Sequence, residues 1–314
     1  MPPSGGAFGE KDRAMSSRVP PILVCLVSLC LGAAANAWWA DGHLVIDEAA
    51  VRALPADIPA FFRQGGETIK SYANDPDLYR DRALPGLRNA GGPNHFIDLE
   101  LLKGNPAPEL RGDYIVLCNK LRVHPYSVGT LPYAIRENTE KLTYAFAEYR
   151  QAPENEAVRA KILYIAGILS HYTGDATQPL HCTVHYNGRA NADGSSPKTG
   201  IHQKVDALAG RLGVSAADVA PERVRPIKDV FAHAMQVIRE SNAKVNAVYA
   251  MEKALPPAEG PMQEPVDPTV RRFTVERLRT GAAFTAAVWY TAWANSEKIK
   301  LPGHHPLKRD SGAE

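Results

Sequence analysis

Residues 157–181 read AVRAKILYIAGILSHYTGDATQPLH. Ile162, Ile165, Ala166 and Leu169 recur at helical spacing, so 157–177 is expected to be a helix with one apolar stripe. His171 and Asp175 are four apart, which puts both side chains on one helix face, a turn apart, where they can hold one metal ion. Pro179 cannot continue the helix, so His181 falls just past its end with the ring free to point back. Imidazole, carboxylate and imidazole within eleven residues is zinc-ligand chemistry. Gly167 and Gly174 lie beside the His171 face and leave room for a neighbouring backbone or an ion. A His and an Asp four apart are also an ordinary helix side-chain pair, so the metal reading depends on donors elsewhere.

Outward from this segment, 41–54, 58–69, 131–150, 201–212, 224–253 and 269–299 carry helical periodicity. The stretch 71–94 is rich in Asp, Pro and Gly and reads as loop with at most a short helix; 187–199 reads as a flexible loop and 254–268 as a Pro-rich linker. No alternating strand pattern and no repeat stands out. The expected fold class is all-α: a single, mainly helical domain with its metal cluster in an interhelical cleft.

Apolar residues make up 45% of the 314, ample for a sizeable core. Lys and Arg number 36 against 34 Asp and Glu, a net charge of +2, so no global field favours coating a polyanion. Residues 21–35 are almost uninterruptedly apolar, follow Arg18, and precede Ala35-Asn36-Ala37, an A-x-A cleavage pattern. The run is shorter than the roughly 20 residues of a membrane-spanning helix. The expected organisation is therefore a signal peptide at 1–37, a domain at 38–300 and a tail at 301–314, in a secreted or periplasmic protein. An uncleaved anchor is the alternative, and Met15 is a second candidate start. Lipidation at Cys30 is disfavoured by the bulky Leu29 before it. Cys25 and Cys30 would leave with the signal peptide; Cys118 and Cys182 would remain, either paired or as two buried thiols. No CxxC pattern exists, which argues against a cysteine zinc site.

Further donors are present. His202 and Asp206 repeat the four-residue spacing on another helix, His95 follows a Gly-Gly-Pro turn, and Asp75-Pro76-Asp77 lies upstream of it. His43 lies five residues after Trp38, whose α-amine becomes free on cleavage. His124, His185, His233, His304 and His305 lack such context and read as non-ligands.

These motifs, in this order, resemble the superfamily of bacterial zinc-dependent phospholipases C and single-strand-specific zinc nucleases. The matching pieces are Trp38-x4-His43, Pro76-Asp77-Leu78-Tyr79-Arg80, His95-Phe96-Ile97-Asp98, the ungapped H-x-x-G-D-x-x-Q-P-L-H of His171 to His181, and His202-x3-Asp206. A competing register selects Asp75 in place of Asp77. The Trp38 spacing, Asp-x-x-Arg, and Asp at 206 look like the nuclease branch, while the 187–199 loop is as compatible with the phospholipases.

The resemblance implies three zinc ions: one on Asp77, His95, His171 and Asp175; a second on His181, His202 and Asp206; a third on the Trp38 α-amine and carbonyl, His43 and the other oxygen of Asp175. It implies hydrolysis of a phosphodiester by zinc-activated hydroxide. Asp77 would orient the attacking water and Arg80 would neutralise a phosphate oxygen. Phe96 would stack a nucleobase or simply pack. The expected protein is an endonuclease on single-stranded DNA or RNA; the alternatives are a phospholipase C on phospholipid and a non-enzymatic zinc-binding protein. A monomer, without stable membrane insertion once the signal peptide is gone, is expected.

Overall fold

Helix α1 (Ala40–Ala53) follows Trp38 and Trp39 directly and stops where Leu54 turns extended before Pro55. The structure is a computed structural model that describes residues 38–262 and 265–309; the signal-peptide expectation for 1–37 lies outside them. The helix expected at 58–69 is two, α2 (Ala60–Gln64) and α3 (Gly66–Tyr72), parted at Gly65. The expected loop 71–94 contains α4 (Asp75–Leu78), α5 (Pro85–Gly91) and a 3-10 turn at Gly92–His95. Next come α6 (Arg111–Leu121) and α7 (Pro125–Val128). Helix α6 buries only Tyr114 and Cys118, so its sequence carries no apolar stripe to read.

Helices α8 (Leu131–Gln151) and α9 (Glu156–Asp175) form an antiparallel pair joined by a short loop. The side chain of Asn155 caps α9 by accepting from Val158 N–H, one of the donors a helix start leaves unpaired. A 3-10 turn at Pro179–His181 follows. The expected 201–212 helix is split into α10 (Ile201–Asp206) and α11 (Leu208–Arg211). Residues 221–229 do not begin the expected 224–253 helix. Pro226 lies in this strap, Ile227 N–H donates to Thr291 Oγ1, and Asp229 caps α12 (Val230–Asn242). Then follow α13 (Val245–Ala250), α14 (Pro268–Ser296) and α15 (Pro306–Arg309).

The central layer is α8, α9 and α14, with α1 and α3 packed on one side and α12 on the other. Its core is aromatic: Phe62 meets Phe146 at 5.4 Å and Trp289 at 5.5 Å between ring centroids. The Trp289 indole N–H is satisfied by Ala166 O, which removes the cost of burying it. A second apolar cluster, containing Trp38, Ile46, Leu180, Ile201 and Leu208, joins α1 to α10 and α11. Full burial of each such side chain contributes about 1.5–3 kcal/mol.

No strand forms among the described residues; two isolated bridges, Ile97 with Gly129 and Tyr186 with Gly188, are the nearest approach. The all-α expectation holds. No described helix is long and apolar enough to cross a membrane. Cys118 and Cys182 are buried and unpaired. The described part of the tail is docked on the domain: Leu301 is buried, and His305 Nε2 lies 2.9 Å from the buried Glu148 of α8.

Candidate metal centre

Six elements bring the donors together. Helix α9 supplies His171 and Asp175 from its last turns, α1 supplies His43, and α4 supplies Asp77. The 3-10 turns supply His95 and His181, and α10 supplies His202 and Asp206. All of these are buried except Asp77, which is partly so. Two glycines let the helices close on one another. A Cβ at Gly167 would lie 2.6 Å from Ile69 O, and one at Gly174 would lie 2.8 Å from His43 Nδ1.

The donor atoms fall into three groups, each with its members within 4.8 Å of one another: His43, His171 and Asp175; Asp77, His95 and His171; His181, His202 and Asp206. Asp175 faces two ways. Its Oδ1 is 3.5 Å from His43 Nε2, while its Oδ2 is 3.2 Å from His95 Nδ1 and 3.5 Å from His171 Nε2. Asp77 Oδ1 lies 3.7 Å from His95 Nδ1 and 3.1 Å from Arg80 Nη1. Asp75 instead accepts from the Tyr79 hydroxyl and is in none of the groups. Trp38 is fully buried, its backbone amide bonds the Asp206 carboxylate, and Trp39 N–H donates to Asp206 O at 3.1 Å.

Backbone carbonyls orient the rings. His171 Nδ1 meets Ala73 O at 2.8 Å, His181 Nδ1 meets His95 O at 2.6 Å, and His202 Nδ1 meets Tyr186 O at 3.1 Å. A carbonyl only accepts, so each Nδ1 carries the proton and each Nε2 presents a lone pair. His181 Nε2 and His202 Nε2 then face each other at 3.2 Å with no proton between them. Burial and the neighbouring His202 hold His181 well below its ordinary pKa, and burial lowers His202 to about 4, so protonation does not relieve the contact at neutral pH.

Zinc fits this arrangement. The buried Asp175 Oδ1 and Oδ2, Asp206 Oδ2 and His95 Nε2 make no hydrogen bond among the described residues. Native proteins rarely leave such atoms unpaired without a ligand. The donors are imidazole nitrogen and carboxylate oxygen, with no thiolate. Burial pushes Asp175 and Asp206 well above the carboxylate range and raises Asp77, though Arg80 opposes this. A divalent cation would reverse that burial cost.

Beside the second group lies a cleft of about 360 Å³, lined by Arg80, His95, Phe96, Asp98, Ser127, Leu180, His181, Tyr186 and His202. The expected Arg80 and Phe96 are both in its wall. Asp98, Ser127 and Tyr186 carried no assigned role in the sequence. Asp98 ends the quoted His-Phe-Ile-Asp motif, which was the available signal; nothing local marks Ser127 or Tyr186. Burial, reinforced by Glu100, pushes the Asp98 carboxyl up to about 8, so it keeps its proton at neutral pH.

No protein-family model matches the chain. Over 201 residues, 55% of the chain, it is 22% identical to a probable serine protease of Bradyrhizobium tropiciagri, of which it spans only 25%. Two solved structures match the chain in part. The alpha toxin of Clostridium absonum matches with a TM-score of 0.45 at 13% identity, over 84% of this chain and 67% of that one. The alpha toxin of an avian strain of Clostridium perfringens matches with a TM-score of 0.41 at 12% identity, over 85% and 67%. Similarity at these levels does not establish a family.

Proposed function

We propose that this protein is a zinc-dependent phosphodiester hydrolase. The observation that carries the reading is the pair of opposed lone pairs on His181 and His202, beside an Asp175 whose two oxygens face different histidines. One zinc would be held by Asp77, His95, His171 and Asp175, and a second by His181, His202 and Asp206. The third would be held by His43, Asp175 and the Trp38 backbone, with the α-amine freed by removal of 1–37. Zinc in such a donor set supplies Lewis acidity toward phosphate oxygens and acidifies water towards about pH 7.

The chain's own residues divide the remaining work. Arg80, held 3.1 Å from Asp77 and lining the cleft, binds a phosphate oxygen. Asp77 accepts a proton from water and orients it. Asp98, whose carboxyl burial pushes up to about 8, supplies a polar group in the cleft wall beside Phe96. Phe96 presents an apolar wall and excludes water.

Two substrate classes carry such a diester. Phospholipid is favoured by exposed leucines on the segment that joins the cleft residues Arg80 and His95 and just before it, Leu78 at 64% and Leu87 at 50%. Single-stranded nucleic acid is supported by Trp38-x4-His43, Asp77-x-x-Arg80 and Asp206, and by Phe96 beside a proton-bearing Asp98, which together suit a base face and edge.

The test uses zinc-loaded protein with three substrates: bis(p-nitrophenyl) phosphate, phosphatidylcholine and a single-stranded oligonucleotide. Chelator-sensitive turnover of the first is expected, and phosphocholine or nucleotide release then identifies the class. No turnover of any of them with zinc bound would overturn the hydrolase reading in favour of a zinc-binding protein.

A further inference from the structure

Residues 81–90 are exposed one after another, and α5 buries none of its seven residues. A Cβ added at Gly86 or Gly91 would meet nothing within 4 Å, so the helix is open to solvent at both positions. Yet its surface is not that of a solvated helix. Leu84 is 44% exposed and Leu87 is 50% exposed, with Leu78 at 64% just upstream. Leu84, Leu87 and Arg88 are three and four residues apart and share one face. Arg82 precedes them. Neither Arg82 nor Arg88 has an ion-pair or hydrogen-bond partner for its guanidinium among the described residues.

Position gives this projection a purpose. The segment leaves the cleft wall at Arg80 and re-enters it at His95, and α5 packs on the 3-10 turn that carries His95. Apolar side chains flanked by unpaired cations suit one surface well, a bilayer with anionic headgroups: leucines enter the acyl boundary and arginines meet phosphates. A single-stranded polyanion would engage the arginines and leave the leucines in water. A second copy of the chain is a poor match too, because stable dimers bury roughly 800 Å² per partner and this patch is one short helix.

We propose that α5, with Leu78, is a bilayer-docking element that holds the cleft against a phospholipid surface. This rests on the phosphodiesterase reading for the turnover of lipid, but not for the binding itself.

The experiment is co-sedimentation of the zinc-loaded protein with phosphatidylcholine vesicles, with and without phosphatidylglycerol. The double variants are Leu84→Ser with Leu87→Ser, and Arg82→Gln with Arg88→Gln. All four side chains are exposed, so folding should be preserved, and circular dichroism checks it. The leucine variant is expected to bind vesicles about tenfold or more weakly. The arginine variant should lose the gain that phosphatidylglycerol gives. Turnover of soluble bis(p-nitrophenyl) phosphate should be unchanged in both.

Three results would overturn the proposal: wild-type protein that ignores vesicles, undiminished vesicle binding by the leucine variant, or a wild-type dimer that the leucine variant dissociates. Oligonucleotide binding lost in the arginine variant, with vesicles ignored, would assign the element to nucleic acid instead. Vesicle binding without turnover of any diester leaves docking standing and removes the hydrolase reading, so the two fail separately.

Discussion

Replacing Asp175 by Asn should change stability in opposite directions with and without metal. In the metal-free protein both carboxylate oxygens are buried without a hydrogen bond, and burial, with Asp77 nearby, pushes the carboxyl well above its ordinary range. The unfolded chain ionises this group near its ordinary pKa, while the folded chain resists. Metal-free wild type therefore loses stability as pH rises from about 4 towards the raised folded value. Asn has nearly the same shape and no charge. Near Oδ2, His171 Nε2 at 3.5 Å can accept from the new NH₂, while His95 Nδ1 donates to His171 Nε2 at 2.9 Å. At pH 8 the metal-free variant should be more stable than wild type by about 1–3 kcal/mol. With metal the sign reverses. Losing an outer-shell partner alone costs 10–100-fold in metal affinity, so losing a carboxylate that serves two ions should cost more than about 100-fold. The assay is urea denaturation of both proteins, with zinc and after chelation, alongside metal analysis. A variant that keeps its zinc, or one destabilised equally in both states, would refute the shared-ligand argument.

Metal-free stability should also depend on pH from the acid side. Burial lowers His171 to about 3 and His202 to about 4, so the unfolded state takes up protons first below about 6.5 and stability falls from there towards pH 4. Asp47 and Asp98, both raised to about 8 by burial, act oppositely and remove stability between about pH 4 and 8. Denaturant titrations across this range should give a narrow optimum without zinc and a broader one with it; identical profiles would show that the donors do not bind metal. Gly174→Ala places a Cβ 2.8 Å from His43 Nδ1 and should displace that ring. It is expected to cost about 1–3 kcal/mol and one zinc per chain by elemental analysis, and full zinc retention would count against His43 as a ligand.

Helix α9 was legible in its sequence because it combines an apolar stripe with a stop at Pro179. Of the candidate donors, His171 with Asp175 and His202 with Asp206 were legible because helical spacing fixes which side chains share a face, and the others through the order of the motifs. Their convergence was not, since it depends on α1, α4, α9 and α10 meeting in three dimensions. In sequence Asp77 was preferred through its Asp-x-x-Arg match with Asp75 as the alternative; the fold turns Asp75 to Tyr79 and Asp77 to His95. Helix α6 was not expected, and the position of α5 within the stretch allowed a short helix was not fixed, for a common reason. They bury almost nothing, so no apolar period marks them. Residues 224–229 were expected to begin a helix, but Pro226 and the Asp229 cap place its start at Val230. The tail's docking includes a contact of His305 with the buried Glu148, a pairing 157 residues apart that no local pattern announces.

The most direct measurement is anomalous diffraction at the zinc absorption edge, on crystals of the protein beginning at Trp38. Three peaks are expected, two of them on opposite sides of the Asp175 carboxylate and one between His181 and His202. A single peak, or peaks away from these residues, would contradict a three-zinc centre organised by the end of α9.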